Sequence, residues 1–220
     1  KLCYLVLESL PPQCGDGIDL VGWSWDSIDV EQVDGSVTWV DQIHLTGTYD
    51  RDANEFTVEA ARVPTDEDRE RLLFDRPLPD YSNPCEVPEG GYPERTEDWP
   101  MEQIEAIDGY AGTWVDPSER VIIVAVTGDL AEAEAAIREV YSEGLCVVAA
   151  ERSQAELEAI QAELAAADTP TVLSSSIYVD ATGERVEAVI VAPDAELQAS
   201  FDAEYGEGVV VLDSILTPVE

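Results

Sequence analysis

"TWVDPSERVIIVAV", residues 113–126, and "IYVDATGERVEAVIV", residues 177–191, decide how this chain is read. Each writes an aromatic residue, Val and Asp, then a short turn, Glu-Arg-Val and an apolar β run. Asp116 and Asp180 stand 64 residues apart, and Asp129 and Asp194 stand 65 apart, the extra residue lying in the second turn. Tyr141 and Tyr205, and Gly144 and Gly208, return to 64. The repeated phrase is therefore the hairpin of a duplicated unit. Beyond each hairpin comes a helix, "DLAEAEAAIREVYS" or "DAELQASFDAEYG", and a last strand, "GLCVVAA" or "GVVVLDSIL". Two ββαβ units result, joined by the helix "SQAELEAIQAELAAAD". That helix opens with a capping box from Ser153 to Glu156 and carries Leu157, Ile160, Gln161 and Leu164 at helical spacing. One helix is too little cover for a small sheet, and two such units shield each other as an open-faced α+β sandwich.

Working outward, residues 1–64 read as strands: "CYLVLES", "GIDLVGWSWDSI", "SVTWVDQIHLTGTYD" and "EFTVEAARV". Ile43, Leu45, Gly47 and Tyr49 alternate with polar neighbours, the period of a half-buried strand, and "YDRDANEF" reads as its hairpin turn. Strands at this spacing predict a small all-β barrel or sandwich, OB-like in outline. Residues 65–109 form a connector. It holds a short helix in "TDEDRERLLF", prolines at 77, 79, 84, 88 and 93 that exclude regular structure, and a second short helix in "WPMEQIEAIDGY". The domain plan is 1–64 (β), 65–109 (connector) and 110–220 (duplicated ββαβ), and the fold class is α+β.

Composition narrows the function. Among 220 residues, 11 basic against 48 acidic side chains give a net charge of −37. Such a field repels nucleic acid and anionic lipid, so neither is expected as a partner. Lys1 is the only lysine among the basic residues. Acidic, lysine-poor chains resemble proteins of salt-loving microbes, and an arginine-favouring GC-rich genome would leave the same mark. No stretch is long and apolar enough to span a bilayer. Four cysteines, Cys3, Cys14, Cys85 and Cys146, form no CxxC pair and have one histidine to help them, which argues against zinc. Pro11-Pro12 turns the chain between Cys3 and Cys14 and favours that disulfide, leaving Cys85 to pair with Cys146. Disulfides imply an oxidising compartment, and a chain beginning at Lys1 is read as an exported, processed product.

"YAGTWVD…VIIVAVT", the helix with "AELEAIQAEL", and "SSSIYVDATGERVEAVIV" resemble the pro-regions of secreted actinobacterial serine proteases of the α-lytic protease and streptogrisin type. The resemblance covers roughly residues 110–216. It implies repeated α/β subdomains and a role as folding chaperone or inhibitor, which here would act in trans because no protease domain follows. "CYLVLESLPPQCG…VGWSWD…LTGTYD" resembles actinobacterial exported proteins of unassigned function.

Few residues invite chemistry. His44 lies on the polar face of a strand with no positioned partner in view, and no G-x-S-x-G motif accompanies it. Ser174-Ser175-Ser176 reads as a polar strand entry, and Asp116 and Asp180 as turn-forming carboxylates. Asp50, Asp52 and Asn54 begin like a calcium loop, but Glu55 stands where the loop needs Gly and Ala61 where it needs Glu; they remain weak calcium candidates. Trp23 and Trp25 share a face at period two, either as core or as a ligand-facing aromatic shelf. No phosphate-binding or dinucleotide motif occurs. The expectation is an exported, non-enzymatic binding or interaction module at the cell surface, without cofactor, with a protein partner and the option of a homo-oligomer. The alternatives are a structural subunit of a surface assembly or filament, and a protease inhibitor or chaperone of the pro-region type.

Overall fold

The structure, a computed structural model, describes residues 1–28, 32–34, 37–69, 78–93, 99–166 and 172–219. It is mixed α+β and divides into two compact units, Lys1–Leu78 and Pro79–Glu220.

The first unit is built from β1 (Leu2–Leu7), β2 (Gln13–Val21), β3 (Gln32–Asp34), β4 (Val37–Trp39), β5 (His44–Asp50) and β6 (Glu55–Arg62). Four of these form a curled, open half-barrel in the order β1-β2-β6-β5, and β3 pairs with β4. β1–β2 and β5–β6 are antiparallel, whereas β2 and β6 run parallel. The β5–β6 turn forms because the Asp50 carboxylate accepts from the backbone N–H groups of Asp52 and Ala53 (3.0 and 3.1 Å) and Asn54 takes φ +51°. The core is small: Ile18 and Phe56 are the buried hydrophobic side chains described in this unit, and Ile18 alone is fully buried. Of the helix expected over "TDEDRERLLF", residues 66–69 are helical and 70–74 lie outside the described residues.

The second unit holds the duplication. β7 (Tyr110–Asp116), β8 (Val121–Val126), α2 (Leu130–Arg138) and β9 (Leu145–Ala149) make the first copy, preceded by α1 (Met101–Glu105). After α3 (Gln154–Ala166), the second copy is β10 (Val172–Asp180), β11 (Gly183–Ile190), α4 (Ala195–Tyr205) and β12 (Val210–Ser214). Each forms a three-stranded sheet, β7-β8-β9 and β10-β11-β12, with an antiparallel hairpin followed by a parallel pair. The matched aspartates do the same work in both. Asp129 caps α2 by accepting from Ala131 and Glu132 N–H, and Asp194 caps α4 by accepting from Leu197 N–H. The capping box of α3 is present, Ser153 N–H donating to the Glu156 carboxylate at 2.8 Å.

The two hairpins zip to different lengths. In the first copy the ladder stops at Asp116 opposite Val121, whereas in the second it runs on through Tyr178–Arg185 and Val179–Glu184 to Asp180 opposite Gly183. Pro117 has no N–H to extend the first ladder, and Gly183 at φ +118° allows the tight second turn.

Packing also differs. All six residues of β8 are buried, as a continuous apolar strand requires when both its faces are covered. Ile104 of α1 and Ala133 and Ile137 of α2 cover Ile122, Val124 and Val126. The other face, Trp114, Val121, Ile123 and Ala125, meets the proline-rich segment through Cys85 and Tyr92. That segment is bound to the sheet as a strap. Trp114 Nε1 donates to Ser82 O (3.1 Å), Asn83 N–H to Asp116 (3.1 Å) and Ala181 N–H to Asp80 O (2.8 Å), while Cys85 is bonded to Cys146. In the second sheet Val186, Ala188 and Ile190 are buried; Leu157 and Leu164 of α3 join Val186, Ala188 and Val210 in one core cluster.

Candidate interaction surface

Backbone groups at the margin of a sheet are open to pairing unless something covers them. The second ββαβ copy covers both of its margins with glutamine. Gln161 of α3 donates from Nε2 to Ser175 O of β10 at 2.8 Å. Gln198 of α4 treats β12 as a neighbouring strand would: its Nε2 donates to Val210 O (2.8 Å) and its Oε1 accepts from Leu212 N–H (2.9 Å).

The first unit treats β1 differently. β2 flanks it on one side, and among the described residues no strand lies on the other. Leu5, Val6 and Leu7 are 52, 54 and 48% exposed. Three consecutive exposed residues leave the second half of β1 clear of cover, whereas Leu2, Cys3 and Tyr4 are half-buried. The strand is nonetheless fixed. Cys3 is bonded to Cys14 on β2, with Cα atoms 5.5 Å apart. Gly17 lets the two backbones close up, since a Cβ there would come within 2.4 Å of Leu2 O. Leu10, just beyond, is 95% exposed. An apolar edge held in place by a disulfide cannot fold away from solvent.

His44 has partners that its place in the sequence did not reveal. Its Nδ1 lies 3.2 Å from Asp68 Oδ1 and 3.1 Å from an Arg62 guanidinium nitrogen. Arg62 grips Asp68 with both terminal nitrogens, and Thr65 donates to the same carboxylate from its N–H (2.7 Å) and its hydroxyl (2.6 Å). The Arg62 bonds, aided by Thr65, hold the Asp68 carboxyl far below the usual carboxylate range. An Asp this committed clamps the β5–β6 hairpin to the helical turn at 66–69, and its oxygens are engaged by Arg62 and Thr65 rather than reserved for orienting the imidazole. Asp116 and Asp180 are turn-formers too. Asp116 accepts from Ser118 N–H and Oγ (2.8 and 2.6 Å), and Asp180 from Thr182 N–H and Oγ1 (2.8 and 2.6 Å) and Arg185 (3.0 Å). The Ser118 hydroxyl bond leads in holding the Asp116 carboxyl low; burial of Asp180 works the other way and is outweighed by Thr182 and Arg185.

The calcium candidates sit in the β5–β6 turn. Asp50 spends an oxygen on the turn backbone, Asp52 is exposed, and Asn54 Oδ1 accepts from Tyr49 Oη at 3.1 Å. Among the described residues no group of three or more His, Cys, Asp or Glu is placed to hold a metal ion. Trp23 and Trp25 do not share a strand face. β2 ends at Val21, Gly22 turns the chain at φ +76°, and Trp25 opens a short 3-10 turn capped by Ser24. Their rings meet edge to face, 5.3 Å apart at 82°, with Trp25 36% exposed. They are neither a flat shelf nor a buried core pair. Ser174–Ser176 lie in β10 as expected. Beside the Cys85–Cys146 bond lies an open groove of about 460 Å³ lined by Tyr92, Glu134, Arg138 and Glu143. Arg138 crosses it to donate to Glu143 O at 2.6 Å and stands 3.6 Å from Glu134.

No family model, curated protein or solved structure matches the chain. Two disulfides are formed, and no helix among the described residues is long and apolar enough to cross a membrane.

Proposed function

We propose that the chain is an exported, non-enzymatic interaction module at the cell surface, and that the free edge of β1 is where it engages a protein partner. The observation that carries this reading is the run Leu5-Val6-Leu7, exposed on an edge strand that a disulfide pins in place. Strand addition to such an edge supplies affinity through main-chain hydrogen bonds and selectivity through alternate side chains. The disulfides fit an oxidising location, and the charge of −37 keeps a chain with an apolar edge in solution.

The test is crosslinking in native cell-envelope extract with the wild type and with Val6→Lys, a change at an exposed site. A defined partner held by the wild type and lost by the variant is expected. The same crosslinked set with both proteins overturns the assignment of β1. A protease-directed role keeps the support of the pro-region resemblance over residues 110–216, to which two copies of ββαβ are a consistent architecture. Inhibition of α-lytic-type proteases that persists in Val6→Lys would favour that role over the β1 reading.

A further inference from the structure

The ends of β1 carry opposite charges. Lys1 and Glu8 flank Leu2–Leu7, in which no residue is charged, and Lys1 Nζ stands 3.3 Å from Asp19 Oδ1 of the same chain in an exposed ion pair that a second copy would share. Two copies of the strand laid antiparallel about a two-fold axis bring Lys1 of each beside Glu8 of the other, with Leu2 opposite Leu7, Cys3 opposite Val6 and Tyr4 opposite Leu5. A parallel arrangement sets Lys1 against Lys1 and Glu8 against Glu8. The strand is thus self-complementary in the one orientation that a two-fold interface requires.

We propose that β1 pairs antiparallel with β1 of a second copy of this chain, joining two half-barrels into one continuous sheet. This rests on the reading of β1 as the interaction edge and specifies its partner. Three observations converge on it: the edge has no neighbouring strand among the described residues, Leu5, Val6 and Leu7 are exposed, and its flanking charges match their own reverse. The contrast with the second copy of the repeat, whose edges are occupied by Gln161 and Gln198, shows that this chain carries the means to blunt an edge and does not apply them at β1.

The same structure sets the dimer's character. Irregularities in the β1–β2 ladder on either side of Leu5 keep the straight stretch short, so the interface is small and the association weak. Each copy carries −37, and bringing two together is opposed until salt screens them. As the Debye length falls from about 10 Å at 0.1 M to about 3 Å at 1 M, the repulsion between the two copies is screened and the equilibrium shifts toward dimer, while the Lys1–Glu8 contacts, screened by the same salt, weigh most at 0.1 M.

Sedimentation equilibrium of the purified protein at 0.1 and 1 M sodium chloride tests this. A monomer–dimer equilibrium that shifts toward dimer with salt is expected, lost in Val6→Lys and in Glu8→Lys. The double exchange Lys1→Glu with Glu8→Lys restores it in part, because the reversed charges again face their opposites across the interface while the carboxylate placed at position 1 also meets Asp19. Circular dichroism and melting temperature of each variant guard against misfolding. A wild type that stays monomeric at both salts, a dimer indifferent to Val6→Lys, or a double exchange that fails to restore pairing overturns the proposal. A monomeric wild type whose envelope crosslink still depends on Val6 overturns self-pairing alone and leaves β1 as the edge for a different protein.

Discussion

Replacing both Cys85 and Cys146 by Ala cuts the covalent anchor of the strap that covers the β7-β8-β9 sheet. The cysteines are 61 residues apart, so the bond removes more freedom from the unfolded chain than the 11-residue separation of Cys3 and Cys14. Loop-closure entropy puts the loss at about 4 kcal/mol for the long loop and about 3 kcal/mol for the short one. The strap keeps its bonds from Trp114 to Ser82 O and from Asn83 to Asp116 in the variant, so the native fold of the second unit should survive with its stability reduced. Urea unfolding, followed by tryptophan fluorescence and far-ultraviolet circular dichroism, measures each double variant against the wild type. The two units are treated as separate transitions, because a single two-state fit is not licensed for two compact bodies. If the strap lifts, Trp114, Val121, Ile123 and Ala125 lose their cover, and a hydrophobic dye binds below the unfolding midpoint. A loss under about 1 kcal/mol would show that the unfolded chain is already constrained near this pairing, refuting the entropic argument.

Three other outcomes follow from the geometry. Melting temperature should rise between 0.1 and 1 M sodium chloride as screening relieves the self-repulsion of −37 charges; a flat or falling trend removes the salt-adapted reading. The depressed Asp68 carboxyl stabilises the fold fully above its unfolded value of about 3.9, and that contribution fades as pH falls through this value toward the lower folded one. The stability gap between wild type and Asp68→Asn should therefore narrow from pH 6 to pH 2.5, and a gap independent of pH contradicts the Arg62–Asp68 clamp. Gln198→Ala removes both bonds to β12, costing about 1–2 kcal/mol and exposing an edge, so thermal melts and light scattering should report lower stability and new self-association; no change in either removes the edge-covering role.

Much of this architecture could be read before folding because its signals are local. An Asp at the start of a turn or at a helix N-cap acts on backbone two or three residues away, so Asp116, Asp180, Asp129 and Asp194 announced the repeat reliably. The Cys3–Cys14 pairing followed from a short loop. Other features depend on register or on distant partners. The unequal hairpins turn on Pro117 and Gly183, single residues inside an otherwise matching phrase. Prolines at 79, 84 and 88 rule out helix and strand, and the Cys85–Cys146 pairing ties the segment to a strand, but its bonds with Trp114, Asp116 and Ala181 join residues too distant in sequence to be read from it. Trp23 and Trp25 alternated like strand residues, yet Gly22 ends the strand before them. His44 lies opposite Arg62 in the β5–β6 ladder only after a one-residue irregularity between Thr46 and Gly47. The pattern Thr65-x-x-Asp68 could have flagged a capping carboxylate nearby.

The edge proposed for interaction is the least legible feature, because what marks it is a contrast between places far apart in the chain. "LCYLVL" is an ordinary apolar strand on paper, and nothing in it distinguishes a buried strand from a margin. Gln161 and Gln198 are likewise unremarkable polar residues on helices until their amides are found against β10 and β12. Once both are placed, the second copy of the repeat has its margins occupied and the first unit has an apolar margin fixed open by Cys3–Cys14. The opposite charges of Lys1 and Glu8 then acquire a meaning that composition hides, since among so many carboxylates a single Lys–Glu pair has no weight in the net charge. Its weight comes from position. At the two ends of one uncharged strand, the pair would favour antiparallel over parallel addition, which is what the proposed self-pairing requires.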